Sequence, residues 1–291
     1  MIRTSRQLKA LVRNKSKGDS TKAQIIIRNY VMERFLERLS LSPYRNNLIL
    51  KGGTLVSAMV GLDNRSTMDV DATIQNLPLS VEDARKVVNE IASIQIDDGV
   101  TFEIKSAANI MDEADYTGVR VMLDATLETM HTPLKIDLST GDVITPRAVL
   151  YSFNLLFEER SISILAYNLE TVLAEKLETL LSRGTANTRM RDFYDIYVLE
   201  TMRRQIIDSS VLREAFVNTC KKRSSQATVQ DAALILDEIQ MSKEMAALWK
   251  KYQSKFDYAA DIEWKDVIQS VRKLHSGMDK VKVKRREDFE R

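Results

Sequence analysis

Apolar residues follow two different periods along this chain, and the change between them divides it. Residues 48–50 (Leu48, Ile49, Leu50) form a short apolar run, the signature of a buried strand. After Gly52-Gly53-Thr54, the spacing of Leu55, Val56, Met59 and Val60 predicts about two turns of helix, closed by Gly61. Residues 68–74 then alternate apolar and polar, which predicts a strand. Upstream, Ile27, Val31, Phe35 and Leu39 repeat at helical spacing, with Asp19 or Ser20 as the cap and Pro43 as the terminator. Downstream, Pro78 and Ser80 open a helix whose inner side carries Val81, Ala84, Val87, Val88, Ile91 and Ile94. Residues 100–105, 118–127, 133–138, 150–157 and 161–167 read as further strands, with an acidic, polar loop over 110–117.

From Asn168 the period is helical with scarcely a break. Leu169, Val172, Leu173, Leu177 and Leu180 share one helix, and Gly184 lies just past its end. Phe193, Ile196, Tyr197 and Leu199 share the next; more helices run to about His275, and 280–291 reads as a mobile tail. The expectation is an α+β fold: a mixed β-sheet flanked by helices over residues 1–167, then an α-helical domain over residues 168–291.

Composition narrows the class. A chain of 291 residues can bury a sizeable core, and 9 glycines with 4 prolines suit a helix-rich fold. The single cysteine, Cys220, excludes an internal disulfide and fits a reducing cytosol. No signal peptide opens the chain, and no apolar run approaches the roughly 18–20 residues of a membrane span, so the expected location is cytoplasmic. A net charge of +2 supplies no global field for nucleic acid. The first 18 residues are different: Arg3, Arg6, Lys9, Arg13, Lys15 and Lys17 stand there without an acid. They read either as a solvated, frayed first helix or as an arm for RNA or nucleotide phosphates.

Candidate chemistry concentrates between Lys51 and Asp71. Strand periodicity puts Asp69 and Asp71 on one face, where two carboxylates repel unless a divalent cation lies between them. Gly52 and Gly53 leave room for a phosphate at a helix N-terminus. Metal and phosphate together describe a nucleotide site. No histidine or cysteine spacing suggests zinc, and Ser66 and Thr67 have no nearby histidine for a hydrolase triad.

Gly52-Gly53-Thr54, a helix, and then Arg65-Ser66-Thr67-x-Asp69-x-Asp71 resembles the core of the DNA polymerase β-like minimal nucleotidyltransferases. Within them it is most similar to the AbiEii/AbiGii-type toxins of bacterial toxin–antitoxin systems. The family's first motif is commonly Gly-Ser; here Thr54 keeps a hydroxyl one position later. The family's third acid lies on a strand after the pair, which implies Asp137, with Asp142 and Asp124 as alternatives. The run Glu175-Lys176-Leu177, Arg183-Gly184 and Arg189-Met190-Arg191-Asp192-Phe193-Tyr194-Asp195 resembles the downstream motifs, so the likeness reaches about Leu199.

The resemblance implies an enzyme that uses Mg²⁺ (or Mn²⁺) to move an NMP from an NTP to an acceptor, releasing pyrophosphate. Asp69, Asp71 and Asp137 would hold metal, and Lys176 with Asp192 would support the nucleotide. Lys51, Gly52, Gly53, Thr54, Arg65, Thr67, Arg183, Arg189 and Arg191 would line the nucleotide. An Arg–Asp ion-pair network joining two helices is the structural alternative for the three later arginines, and Asp195, one turn from Asp192, could cap or pair with an arginine. The implied biology is growth inhibition and phage defence, a tRNA 3′ end as acceptor, and a cognate antitoxin that need not bind stably. Small-molecule (antibiotic-type) nucleotidyltransferase and nucleotide-binding pseudo-enzyme are the competing readings.

Overall fold

A computed structural model describes residues 1–111 and 117–287. The chain divides into two compact units. The first comprises Met1–Leu62, Ser66–Asp142 and Ala148–Tyr167; the second comprises Asp63–Arg65, Val143–Arg147 and Asn168–Arg291.

The first unit is built on a seven-stranded mixed sheet in the order β3-β4-β5-β2-β1-β7-β6. Its strands are β1 (Leu48–Lys51), β2 (Asp69–Ile74), β3 (Val100–Met111), β4 (Thr117–Leu127), β5 (Met130–Thr140), β6 (Val149–Asn154) and β7 (Ser161–Ala166). The pairs β2/β5 and β1/β7 run parallel and the others antiparallel. In β5, Leu134, Ile136 and Leu138 are buried while Lys135 and Asp137 are half-exposed, as strand periodicity requires.

The helices of this unit are α1 (Ser5–Ser16), α2 (Ser20–Leu41), α3 (Gly52–Val60) and α4 (Val81–Ala92). Thr4 and Gln7 form a capping box at the start of α1, and Leu8 and Val12 are buried as α1 packs on α2. The first helix is therefore anchored rather than frayed, and its cations Arg6, Lys9, Arg13 and Lys15 stay on the exposed side. Asp19 caps α2, and Ser80 with Asp83 forms the box that starts α4.

α2 departs from the one-sided burial its apolar spacing predicts: from Asn29 to Leu39 every residue is buried, including Glu33, Arg34, Glu37 and Arg38. Buried charges need partners. Arg38 forks onto Asp98 at 2.7 and 2.9 Å and donates to the Val100 carbonyl at 2.7 Å. Arg34 pairs with Glu37 at 2.9 Å, and Arg160 reaches Glu37 at 2.7 and 3.0 Å. Glu33 accepts the Leu156 N–H on both oxygens. These bonds tie α2 to the approach to β3 and to the β6–β7 turn.

The second unit holds α5 (Leu169–Arg183), α6 (Met190–Arg203), α7 (Ser209–Lys222), α8 (Ala232–Met241), α9 (Lys243–Gln253) and α10 (Trp264–Glu287). α5 packs on α6 and α7, and α10 packs on α6, α7 and α8. Gly184 ends α5 with a positive φ of 51°, a conformation that favours glycine. Asp208 caps α7 and Ser242 caps α9. Rings of Phe193, Tyr194, Trp249, Tyr252 and Trp264 fill the space between α6, α9 and α10.

Several boundaries differ from the sequence expectation. β3 and β4 extend into the expected 110–117 loop, occupying Ile110, Met111 and Thr117, while 112–116 lie outside the described residues. β6 stops at Asn154 because Leu155 and Leu156 turn, the first N–H bonding the Arg160 carbonyl at 3.1 Å and the second bonding Glu33. The tail expected to be mobile from Lys280 is helical through Glu287, and 288–291 lie outside the described residues.

Glu33 generates a pH prediction. Burial pushes its carboxyl up to about 8 from 4.5, against the opposing pull of the Leu156 N–H and Arg34. A raised folded-state value stabilises below the unfolded value and is lost as pH rises through the folded one. Stability should therefore decline between about pH 4.5 and 8, and Glu33→Gln should flatten the decline. Thermal melts across that range should show the variant gaining several degrees at pH 8, at roughly 2–4 °C per kcal/mol. A parallel profile in wild type and variant would contradict this.

Candidate functional site

The sheet assembles the candidate site by register. β1/β2 pairing sets Lys51 opposite Asp71, β2/β5 sets Asp71 opposite Asp137, and β4/β5 sets Asp137 opposite Arg120. One cross-strand row therefore reads Lys51, Asp71, Asp137, Arg120. The neighbouring row places Asp69 opposite Lys135. Side chains on one strand face repeat every second residue, so the three acids and their cations share a face.

Charge is balanced locally. Arg120 grips Asp137 with both arms at 2.8 Å, and Lys135 Nζ lies 2.6 Å from Asp69 Oδ2 and 3.8 Å from Asp137 Oδ2. Lys51 Nζ donates to Asp142 at 2.6 Å, and Ser139 donates to the same oxygen at 2.7 Å. Although burial works the other way, Lys51 and the hydroxyls of Ser139 and Thr73 hold the Asp142 carboxyl below its usual range. Asp71 goes in the opposite direction: burial first, then the Asp137 carboxylate, push its carboxyl up, against Lys51 and the Gly53 N–H.

The glycines serve this acid directly. Gly52 has φ 64°, and a Cβ there would collide with the Asp71 carboxylate. The space expected to admit a phosphate at Gly52 is taken up by Asp71, and the Gly53 N–H points to the same carboxylate. Thr54 is fully buried and donates its hydroxyl to the Asp69 carbonyl, which fastens α3 to β2. Its hydroxyl is therefore spent on backbone, not offered to phosphate. Thr67 is buried, and its carbonyl accepts from the Asn29 amide at 2.9 Å.

A divalent cation fits the donor chemistry of Asp69, Asp71 and Asp137, since hard carboxylate oxygens carrying excess negative charge suit such an ion. The observation that gathers them is the register, which sets Asp71 opposite Asp137 with Asp69 two residues along β2 on the same face. Among the described residues no three His, Cys, Asp or Glu side chains converge as a ligand set. Asp69 and Asp137 aim oxygens at Lys135 and Arg120. Of the alternatives for the third acid, Asp124 bonds His131 at 2.7 Å and stands four residues along β4 from Arg120, about 13 Å away. Asp142 is committed to Lys51.

The second unit gathers the remaining candidates on α5 and α6. Lys176 Nζ lies 2.7 Å from Asp195 Oδ2 and 3.0 Å from Asp192 Oδ1. Arg65, which belongs to this unit, donates Nε to Asp195 Oδ1 at 2.6 Å. Burial opposes charge on all three groups, yet Arg65 and Lys176 hold the Asp195 carboxyl well below its usual range. Asp195 and Asp192 likewise raise Lys176 despite its burial. Arg65 is thus fully buried in an ion pair instead of reaching out to phosphates.

Arg189 stands exposed with Nε 3.0 Å from Asp192 Oδ2, off the line a hydrogen bond needs, so that buried oxygen has no hydrogen-bond partner. Arg191 is exposed with its guanidinium 5.9 Å from the Phe256 ring centre, and Arg183 is half-buried at the end of α5. Lys135 and Arg120 are the charged groups at these clusters that sequence reasoning did not assign, whereas Asp195, expected to cap or pair with an arginine, pairs with Arg65. Lys135 was within reach of sequence reasoning, two residues before Asp137 on one strand; Arg120 depends on the β4/β5 register.

A family model described as "Nucleotidyl transferase AbiEii toxin, Type IV TA system" matches residues 34–270. Among solved structures, the chain is similar to a putative nucleotidyltransferase from H. pylori at 15% identity and TM-score 0.47, covering 89% of this chain and 97% of that one. JHP933 from Helicobacter pylori gives 14% identity, TM-score 0.49 and coverage of 91% and 97%. An antigenic nucleotidyltransferase-like protein from Paracoccidioides brasiliensis gives 13%, 0.39, and 70% and 93%. No curated protein matches. Both the acidic rows and the Lys176 cluster fall inside residues 34–270, and over that span the chain belongs to the AbiEii family of nucleotidyltransferase toxins of type IV toxin–antitoxin systems.

Proposed function

We propose that this nucleotidyltransferase transfers a nucleoside monophosphate from an NTP to an RNA hydroxyl, with the tRNA 3′ end as acceptor, and that the transfer arrests growth. The observation that carries the reading is the face shared by Asp69, Asp71 and Asp137. The acceptor oxygen attacks the α-phosphorus as the bond to the β-phosphate oxygen breaks, and pyrophosphate leaves with that electron pair. Asp137, oriented by Arg120, takes the acceptor proton. Asp69, Asp71 and Asp137 would hold Mg²⁺ or Mn²⁺, which would supply the positive charge that lets a triphosphate approach three acids. Lys176, kept charged by Asp192 and Asp195, is assigned to stabilising charge that develops on the phosphates. A cognate antitoxin restrains the activity, and a stable complex is not required.

Three outcomes test this reading. Asp69→Asn and Asp71→Asn should abolish labelled NMP transfer to RNA and relieve growth arrest. Asp71→Asn should melt no lower than wild type, because the native carboxyl is already pushed toward its neutral form. Retained transfer in either variant would overturn the assignment.

Lys176→Ala should slow transfer by roughly 10²–10³, as loss of one electrostatic stabiliser does, and Lys176→Arg should restore it only in part. If Asp192 acts by positioning Lys176, adding Asp192→Asn to Lys176→Ala should cost little more. Multiplying losses, measured in variants whose melts confirm folding, would show two independent roles.

The exposed cations of α1 are proposed to contact the RNA backbone. Since α1 is packed, substitution is a cleaner test than deletion. Replacing Arg6, Lys9 and Arg13 together by Gln should weaken RNA binding and lower its salt slope by about 0.7–0.9 per lost phosphate contact, leaving NTP binding unchanged. An unchanged slope would return α1 to a solvated structural helix.

A further inference from the structure

Two of the cations on the acidic face, Arg120 and Lys135, differ in how they are held, and the difference assigns them different work. Arg120 meets Asp137 through two parallel bonds of 2.8 Å, a fork geometry that fixes the carboxylate plane. Lys135 meets Asp69 through a single ammonium at 2.6 Å, with Asp137 at 3.8 Å, on a flexible stem that remains 25% exposed. A compact ammonium on such a stem can swing between partners without moving the strand. It stands directly opposite Asp69 in the β2/β5 register, so it occupies the oxygen that a divalent cation would need.

We propose that Lys135 is a resident counter-ion of this site: it competes with the divalent cation for Asp69 and, once displaced, pairs with the phosphates of the nucleotide. The inference rests on the nucleotidyltransferase reading of this face. Two consequences of opposite sign follow. Without nucleotide, the ammonium and the cation exclude each other at Asp69, so Lys135 weakens metal binding. With nucleotide, the triphosphate brings negative charge that an ammonium one side-chain length away can meet, so Lys135 strengthens nucleotide binding. Lys135 is then a positioning and binding residue, and it keeps the three acids tolerable in the empty enzyme. A purely structural lysine would not move the two affinities in opposite directions.

The test uses the full chain with Lys135→Met, which keeps length and removes charge, and Lys135→Arg, which keeps charge. Mn²⁺ alone is titrated and followed by the loss of its free-ion resonance signal. The common α,β-methylene NTP analogues, which cannot be turned over, are titrated calorimetrically at saturating Mn²⁺. Lys135→Met should bind Mn²⁺ alone about three- to tenfold more tightly and the Mn²⁺-loaded analogue about three- to tenfold more weakly. Lys135→Arg should fall between wild type and Lys135→Met on both scales. Metal affinity unchanged or weakened in Lys135→Met, or nucleotide affinity unchanged, would overturn the proposal while leaving the nucleotidyltransferase reading in place. Wild-type protein that binds neither Mn²⁺ nor any analogue would overturn both.

Discussion

Parallel pairing of β2 with β5 is the constraint on which the acidic face depends. Asp69 and Asp71 are two residues apart and would share a face in any strand, but Asp137 lies far along the chain. Only the register that sets Asp71 opposite Asp137 brings the third acid to the pair. A slip of one residue would send Asp137 to the buried side and Ile136 or Leu138 to the acids. The buried apolar positions Leu134, Ile136 and Leu138 therefore hold the register that places the carboxylates. Packing and chemistry are alternate residues of the same strand.

The same arrangement creates an electrostatic problem that the surrounding residues resolve one by one. Gly52 yields its Cβ space to Asp71, Gly53 offers an N–H, and Lys51 lies beside Asp71 while bonding Asp142. Arg120 and Lys135 cover the remaining acids. Asp71 still carries a raised carboxyl, pushed up first by burial and then by the Asp137 carboxylate. Three carboxylates gathered on one strand face are a physical reason for a further cation. In the helical unit the balance is different: Asp195 is charged and fully compensated by Arg65 and Lys176, which makes it an anchor, while Asp192 keeps an oxygen without a hydrogen bond.

Local sequence made much of this legible. Strand alternation identified β2 and β5 and put Lys135 beside Asp137, and Gly61 and Gly184 marked the ends of α3 and α5. What remained hidden was non-local. The full burial of α2 from Asn29 to Leu39 could not be read from its apolar stripe, because its charged residues find partners in Asp98, Glu158 and Arg160 far along the chain. Arg65 read as a phosphate ligand from its place before the acid pair, yet Asp195 buries it. Thr54 read as a phosphate hydroxyl, yet it bonds the Asp69 carbonyl. Both conversions depend on which distant group arrives, and a residue's own neighbours in sequence carry no signal of that.

The central claim is that the face bearing Asp69, Asp71 and Asp137 is a nucleotide site that requires a divalent cation. The most direct measurement is calorimetric titration of NTPs into the wild-type protein, once in Mg²⁺ and once with the metal removed by EDTA. Three acids and a triphosphate repel one another without the ion, so the account predicts binding in Mg²⁺ and its loss in EDTA. Equal affinity under both conditions would contradict it.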